Sequence, residues 1–197
     1  MPSKNKDKLL EVAQTLVQEK GYQGFSFHDL SAAVGITTAS IHYHFPTKAH
    51  LGIALIQSYR ACFENLIAEV KANHDSPKAQ FEALLDIFDG TLGCSKICIC
   101  GAMSGEFHGL PEDVREELKT FIIASAQGIQ DIIEAAQQAG EISADYDAKT
   151  LAELWNNTLQ GTMAIGRATQ ACKLGAPIDL LKEWTFSPAP AASPISH

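Results

Sequence analysis

The sequence predicts an all-α protein, and three observations carry that prediction. Apolar residues recur at intervals of three and four along most of the chain. Glycine, proline and hydroxyl residues interrupt that rhythm where helices would end or begin, and no segment alternates apolar and polar residues as a half-buried strand would.

Leu9, Val12, Ala13, Leu16 and Val17 repeat at helical spacing and stop at Gly21, which predicts a first helix over about residues 3–20. From Phe27 to Lys48 the chain reads as a short helix, a tight turn and a second short helix. The turn is Ala33-Val34-Gly35-Ile36-Thr37. Gly35 stands where the first helix must close in a left-handed residue, and Thr37 where the next one needs a cap. Thr38 to Phe45 then carries short polar and aromatic side chains on one face, with Ile41 and Phe45 four apart for the core. Pro46 fits the first turn of a further helix, Thr47 helps cap it, and Lys48 projects at its N-terminal end beside any phosphate bound there.

Leu51, Leu55, Tyr59, Cys62, Phe63, Leu66 and Val70 continue without a breaker to the stretch 73–77, so one long helix should start at Pro46 and join two parts of the molecule. A helix over about 77–92 carries Phe81, Leu84, Leu85 and Phe88; a short one around Gly101–His108 ends before Leu110-Pro111. Residues 112–138 hold Val114, Leu118, Phe121, Ile122, Ser125, Ile129, Ile132 and Ile133 in register and stop at Gly140. Asp145 or Asp147 caps the next helix, over about 146–172, whose face holds Leu151, Leu154, Trp155, Leu159, Thr162 and Ile165. A last helix runs from Pro177 to about Trp184. The Pro-, Ala- and Ser-rich stretch 187–197 has nothing to bury and is expected to be disordered. Three parts follow: 1–50, 51–186 and the tail 187–197.

With 197 residues, 46 % of them hydrophobic, the chain can build a small module and a larger one around a continuous core. No run approaches the ~20 apolar residues of a membrane span, and the N-terminus leads into an amphipathic helix, so the expected location is the cytoplasm. The net charge of −8 would argue against a nucleic-acid partner if it were uniform. It is not: residues 1–50 carry five lysines, four acids and four histidines. Lys4, Lys6, Lys8, Lys48 and the helix N-termini set the potential that a phosphate backbone feels within a Debye length of about 8 Å.

A short-helix, turn, short-helix unit places its second helix in a DNA major groove. Here the hydroxyls of Thr37, Thr38, Ser40 and Tyr43, with His44, would hold phosphates, while Ser40 or His42 reaches base edges. His28, at the start of the preceding helix, is either a DNA contact or a solvated surface residue. The plain alternative for the whole face is the polar side of an ordinary helical hairpin. Enzyme chemistry has no foothold: there is no Gly-x-Ser-x-Gly elbow, no phosphate-cradling glycine loop with lysine, and no His-Glu-x-x-His pair.

Gly21, Phe25, Leu30, Ala33, Val34, Gly35, Ile36, Ala39, Ile41, Tyr43, His44, Phe45, Lys48 and Leu51 together resemble the N-terminal domain of the tetracycline-repressor family, over roughly residues 5–55. Ala39 stands where that family often has glycine, and His42-Tyr43 where a tyrosine commonly comes first. The resemblance implies a homodimer whose three N-terminal helices read a palindromic operator, joined to a helical domain for effector binding and dimerisation. In such a repressor the reader helices sit about 34–36 Å apart. The helices near 146–172 and 177–185 would form the interface, and the long helix from Pro46 would carry the effector's signal.

Cys94, Cys98 and Cys100 place three of the five cysteines within seven positions. A structural disulfide does not suit the expected compartment. A metal site would need His108 or His74 from elsewhere, since Cys-x2-Cys pairs are absent. Three readings stay open: that metal site, in a metal-responsive regulator; small buried apolar residues; or a reactive thiol. Cys98, with Glu106 and Leu110-Pro111-Glu112 after it, resembles a subgroup of the same family, including N-ethylmaleimide-responsive repressors, that places a cysteine before a short helix. That resemblance implies Cys98 as a sensor of electrophiles or oxidants, with Cys100 as its partner. The alternative is a non-covalent hydrophobic ligand among Met103, Phe107, Phe121 and Trp155, residues equally suited to plain core. Asn156-Asn157-Thr158 spells a glycosylation acceptor, but inside a predicted helix. No cofactor is implied.

Overall fold

The computed structural model describes residues 2–93 and 96–186. Cys94 and the stretch 187–197 lie outside the described residues. Within them the chain is all-helical: α1 (Pro2–Lys20), α2 (Phe27–Val34), α3 (Thr38–His44), α4 (Lys48–Asn73), α5 (Pro77–Gly93), α6 (Ile99–Ser104), α7 (Glu112–Gln138), α8 (Ala148–Ala168) and α9 (Ala176–Thr185), with a 3-10 turn at Phe107–Gly109.

Local chemistry accounts for the boundaries. Ser26 caps α2 through a full capping box: its hydroxyl accepts from Asp29 N, and the Asp29 carboxylate accepts from Ser26 N at 2.7 Å. Gly35 closes α2 at φ +77°. Thr37 caps α3, accepting from Ser40 N at 3.2 Å. Pro46 is not in the first turn of α4. Phe45, preceding a proline, is extended, and the Thr47 hydroxyl accepts from His50 N at 3.3 Å, so the helix starts at Lys48. The short helix expected at 101–108 begins earlier, after Cys98, and gives way to the 3-10 turn beyond Gly105 and Glu106. Asp147 rather than Asp145 caps α8, and α8 stops at Ala168, where Gln170 turns to φ +58°.

One continuous core joins all parts. Leu9, Leu30, Ile41 and Phe45 bind α1–α3 together, and Leu51, Leu55 and Ile56 of α4 extend the same core into the body. Thus α4 crosses position 50 without a break. α4 and α7 run parallel: Gln57 donates to Glu117 (3.1 Å), Arg60 pairs with Glu117 (3.5 Å) and Lys71 with Asp131 (3.3 Å), so pairs recur at nearly constant sequence offset. Phe81 of α5 meets Trp155 of α8 at 4.6 Å between ring centroids, and the indole N–H donates to Thr185 of α9 at 3.0 Å. Among the described residues no helix is long and apolar enough to cross a membrane.

Candidate nucleic-acid interface and thiol site

The expected reader residues lie on α2, on α3 and its cap, and at the start of α4. Thr37, Thr38, Ser40, His42 and Tyr43 are exposed, as is His28, while His44 is half-buried. Tyr43 is 82 % exposed, the most open of the large apolar side chains among the described residues. Its ring stands edge-on to His44 at 5.2 Å. The Thr37 and Ser40 hydroxyls lie 3.0 Å apart. His42 Nδ1 lies 3.1 Å from the Pro46 carbonyl, and its ring rests edge-on to Phe27 at 5.0 Å. A carbonyl only accepts, so Nδ1 is the donor in this contact, and a neutral imidazole in that tautomer would leave Nε2 as an acceptor. The bases that present a donor in the major groove are adenine, through N6, and cytosine, through N4.

Lys48 departs from the expected posture. Its ammonium donates to the Phe25 carbonyl and lies over the rings of Tyr22 (4.8 Å) and Phe25 (4.5 Å), so in the free protein it braces the α1–α2 loop against α4. Burial lowers its pKa, opposed by the carboxylates of Glu106 and Asp29. Tyr22, whose hydroxyl donates to the Lys48 carbonyl at 2.9 Å, is pushed up to about 12 by burial and then by the charge of Asp113.

Cys98 and Cys100 are both buried, at 5 % and 4 % exposure, while Cys62 and Cys172 are exposed free thiols. Cys98 is the N-cap residue of α6. A hydrogen bond from the Cys100 thiol holds the Cys98 thiol below the usual thiol range. Burial opposes it; the Cys100 backbone N–H, the Tyr59 hydroxyl and the Gln160 amide reinforce it. Cys100 is pushed the other way, by burial and then by its bond to Cys98, as is Tyr59 by burial and then the Cys98 charge. One sulfur is thus set to carry charge while its neighbours keep their protons. Gly101 makes room for this arrangement, since a Cβ there would lie 2.8 Å from Gln160 Oε1, an oxygen that is buried without a hydrogen-bond partner. Among the described residues no group of three His, Cys, Asp or Glu side chains is placed to hold a metal ion.

The apolar candidates divide. Met103 is fully buried beside the thiols on α6, and Phe121 packs edge-on to Tyr59 at 5.5 Å. Trp155 sits elsewhere, sealed between α5, α8 and α9. Phe107 is half-buried under the cations of Arg115 and Lys119. A groove of about 440 Å³ between α7 and α8 is lined by other residues, among them Ile123, Gln127, Lys149, Glu153 and Asn156. Tyr59 and Gln160 were not legible as site residues. The available signal was a hydroxyl inside the apolar stripe of α4 and an amide between the buried Leu159 and Met163 of α8, neither distinctive alone.

This three-helix reading head with an exposed aromatic and hydroxyl face, carried on a helical body, is that of a helix-turn-helix DNA-binding regulator. Residues 9–55 match the family described as bacterial regulatory proteins, tetR family, and residues 77–174 match the tetracyclin repressor-like C-terminal domain. A TetR-family transcriptional regulator from Agrobacterium tumefaciens has the same fold, with a TM-score of 0.89 at 30 % identity over 95 % of this chain and 100 % of that one. The chain belongs to the TetR family of transcriptional regulators, which are DNA-binding proteins and not enzymes. The transcriptional regulator AcuR of Cereibacter sphaeroides is 27 % identical over 139 residues, 68 % of this chain and 64 % of AcuR. IcaR of Staphylococcus aureus, a negative regulator of a biofilm operon, is 35 % identical over 79 residues, 40 % of this chain and 41 % of IcaR. The chain therefore matches less than two thirds of the length of either curated relative.

Proposed function

We propose that this regulator is a cytoplasmic homodimeric repressor that leaves a palindromic operator when Cys98 is modified by a soft electrophile or an oxidant. Residues 1–50 read the operator and residues 51–186 sense and dimerise. Thr37, Thr38, Tyr43 and His44 hold phosphates, with His28 at the edge of the footprint; Ser40 and His42 face the bases. Lys48 contributes the positive end of α4 and braces the loop behind the reader. The dimer reading is supported by apolar side chains left exposed on α8 and α9, including Leu154, Ile165, Leu180 and Trp184.

The observation that carries the sensor reading is the place of Cys98, buried at the N-cap of α6 two residues before a second buried thiol, where its neighbours hold the thiol below the usual range. A thiolate adds to the β-carbon of an activated alkene: the S–C bond forms, the alkene π pair moves to the α-carbon, and a proton from solvent completes the adduct, so nothing leaves. An adduct bearing an N–H or O–H group would also satisfy the orphaned Gln160 oxygen. Cys98 is buried at the N-cap of α6, so atoms added to its sulfur displace what packs around it, α6 included. A modification that favours the released conformation by about 100-fold, or about 2.7 kcal/mol, releases most of the operator.

The test is operator release by the purified protein on DNA upstream of its own gene, titrated with N-ethylmaleimide, an oxidant and a reductant. Release that Cys98→Ser abolishes supports the reading. Release that persists in Cys98→Ser moves the sensor to another thiol, such as the exposed Cys62 or Cys172, and a protein indifferent to all three reagents shifts the reading to a non-covalent ligand.

A further inference from the structure

The C-terminal end of α1 and the loop after it are gripped by the body at a point far along the chain from α4. Glu106 Oε2 accepts the backbone N–H of Gln23 at 2.7 Å. Its other oxygen rests against Gly21, where a Cβ would lie 1.8 Å from it and displace the carboxylate; Gly21 also has φ +80°, a conformation that favours glycine. The contact is reciprocal. Gln23 Nε2 donates to the Gly109 carbonyl at 2.6 Å, and a Cβ on Gly109 would lie 2.6 Å from that nitrogen. Each side therefore presents a glycine to the other side's polar group.

Both ends of this contact lead to functional residues. Toward the body, Glu106 is eight positions from Cys98 along a tight hydrogen-bonded segment: Ala102 N donates to the Cys98 carbonyl (3.1 Å), Gly105 N to Gly101 (3.3 Å) and Glu106 N to Met103 (3.1 Å). Toward the reader, Tyr22 lies between the two gripped residues and its hydroxyl holds the first carbonyl of α4, while Phe25 takes the Lys48 ammonium and Ser26 caps α2. A displacement of α6 reaches the reader by this path without passing along the length of α4.

We propose that Glu106 is a positioning residue for operator recognition: its carboxylate latches the Gly21–Gln23 loop to the segment that directly follows α6, and a shift of α6 at Cys98 opens the latch and frees the reader to leave the operator spacing. The inference rests on the Cys98 reading for its trigger but not for its grip. A fixed loop narrows the range of reader spacings in the dimer, so the latched form is the one that binds DNA tightly. Linkage then requires that a protein without the latch lose both affinity and most of its response, because the modification has nothing left to open.

The experiment compares the full-length protein with Glu106→Ala and Glu106→Gln. It measures operator Kd before and after N-ethylmaleimide treatment, together with hydrogen exchange at the Gln23 amide. In Glu106→Ala the Gln23 amide should exchange at least tenfold faster, the operator Kd should rise about tenfold, and the ratio of Kd values after and before treatment should fall toward one. Glu106→Gln, which keeps one carbonyl acceptor of the same reach, should lie between. A Glu106→Ala protein with wild-type exchange at Gln23, or with a wild-type Kd ratio, overturns the latch. If N-ethylmaleimide leaves even the wild-type operator Kd unchanged, the trigger reading is what has failed. The latch is then judged by exchange and Kd in untreated protein, where wild-type values for Glu106→Ala overturn it.

Discussion

The reader and the thiol site solve opposite problems. The reader places polar groups and an aromatic ring in water, on two helices of eight and seven residues, and spends its packing on the hidden side: Leu30, Ile41 and Phe45 are buried directly behind the exposed face. The thiol site does the reverse, enclosing a sulfur, a hydroxyl and an amide among Met103, Phe121 and Phe63. Helices this short do not hold themselves. The reader therefore depends on apolar contacts that never meet DNA, while the thiol site depends on polar contacts inside an apolar body.

The sharpest break in that comparison is Ile41→Ala. Ile41 is fully buried beneath α3, and truncating such a side chain costs about 2–5 kcal/mol, most of a small domain's margin. Operator binding should collapse and hydrogen exchange in α1–α3 should rise, while α7 stays protected. Equal loss of protection in α7 would mean that the two regions unfold as one.

Surface substitutions on the same helix should separate binding from folding. Tyr43→Ala should leave the melting temperature within a degree or two and weaken binding about equally on all sequences. His42→Ala should alter base preference at one position by about 1–3 kcal/mol. Selection of the preferred operator by the two variants measures this directly; a Tyr43 variant that changes preference and a His42 variant that does not would reverse the assignment.

The reader was legible because each of its features is local. Gly35, Thr37 and the spacing of Ile41 and Phe45 state a turn, a cap and a buried face within a dozen residues, and the structure places them so. The body was legible as helices, with the span 112–138 of α7 readable from its periodicity alone. The contacts gathered around the thiols were not. Tyr59, Cys98 and Gln160 come from α4, the α6 cap and α8, and no local pattern joins them. Lys48 misled for the same reason: its position at a helix N-terminus is local, but its destination, the Phe25 carbonyl, is set by a loop 23 residues earlier.

Arg167 extends the lesson to a smaller effect. Its guanidinium donates to the Gln18 carbonyl at 3.1 Å and to the Glu19 carbonyl, and so caps the negative end of α1 from α8. Arg167→Ala should cost about 1–2 kcal/mol and speed exchange at the end of α1. This arm does not run through α6, so the response to N-ethylmaleimide should keep its wild-type ratio. A collapsed ratio would place the coupling in the whole α1 grip instead of Glu106.

The finest test returns to the thiol site and concerns pH. Cys98 is held below the ordinary thiol range, chiefly by the Cys100 thiol, with Tyr59 among the lesser donors. A group with a lowered native pKa stabilises the fold above its unfolded value, and that contribution is lost as pH falls through the native one. Its reactivity follows the same curve: alkylation of Cys98 is at its plateau near neutrality and slows on acidification. Tyr59→Phe removes one donor worth about 0.5–1.5 kcal/mol, so the midpoint should move up by roughly half to one pH unit. The ring still packs on Phe121, which keeps access to the sulfur comparable. Rates normalised to each protein's own alkaline plateau separate charge from access. An unmoved midpoint would mean that the Tyr59 hydroxyl does not serve the thiolate, and that Cys100 and the amide of Gln160 hold the charge without it.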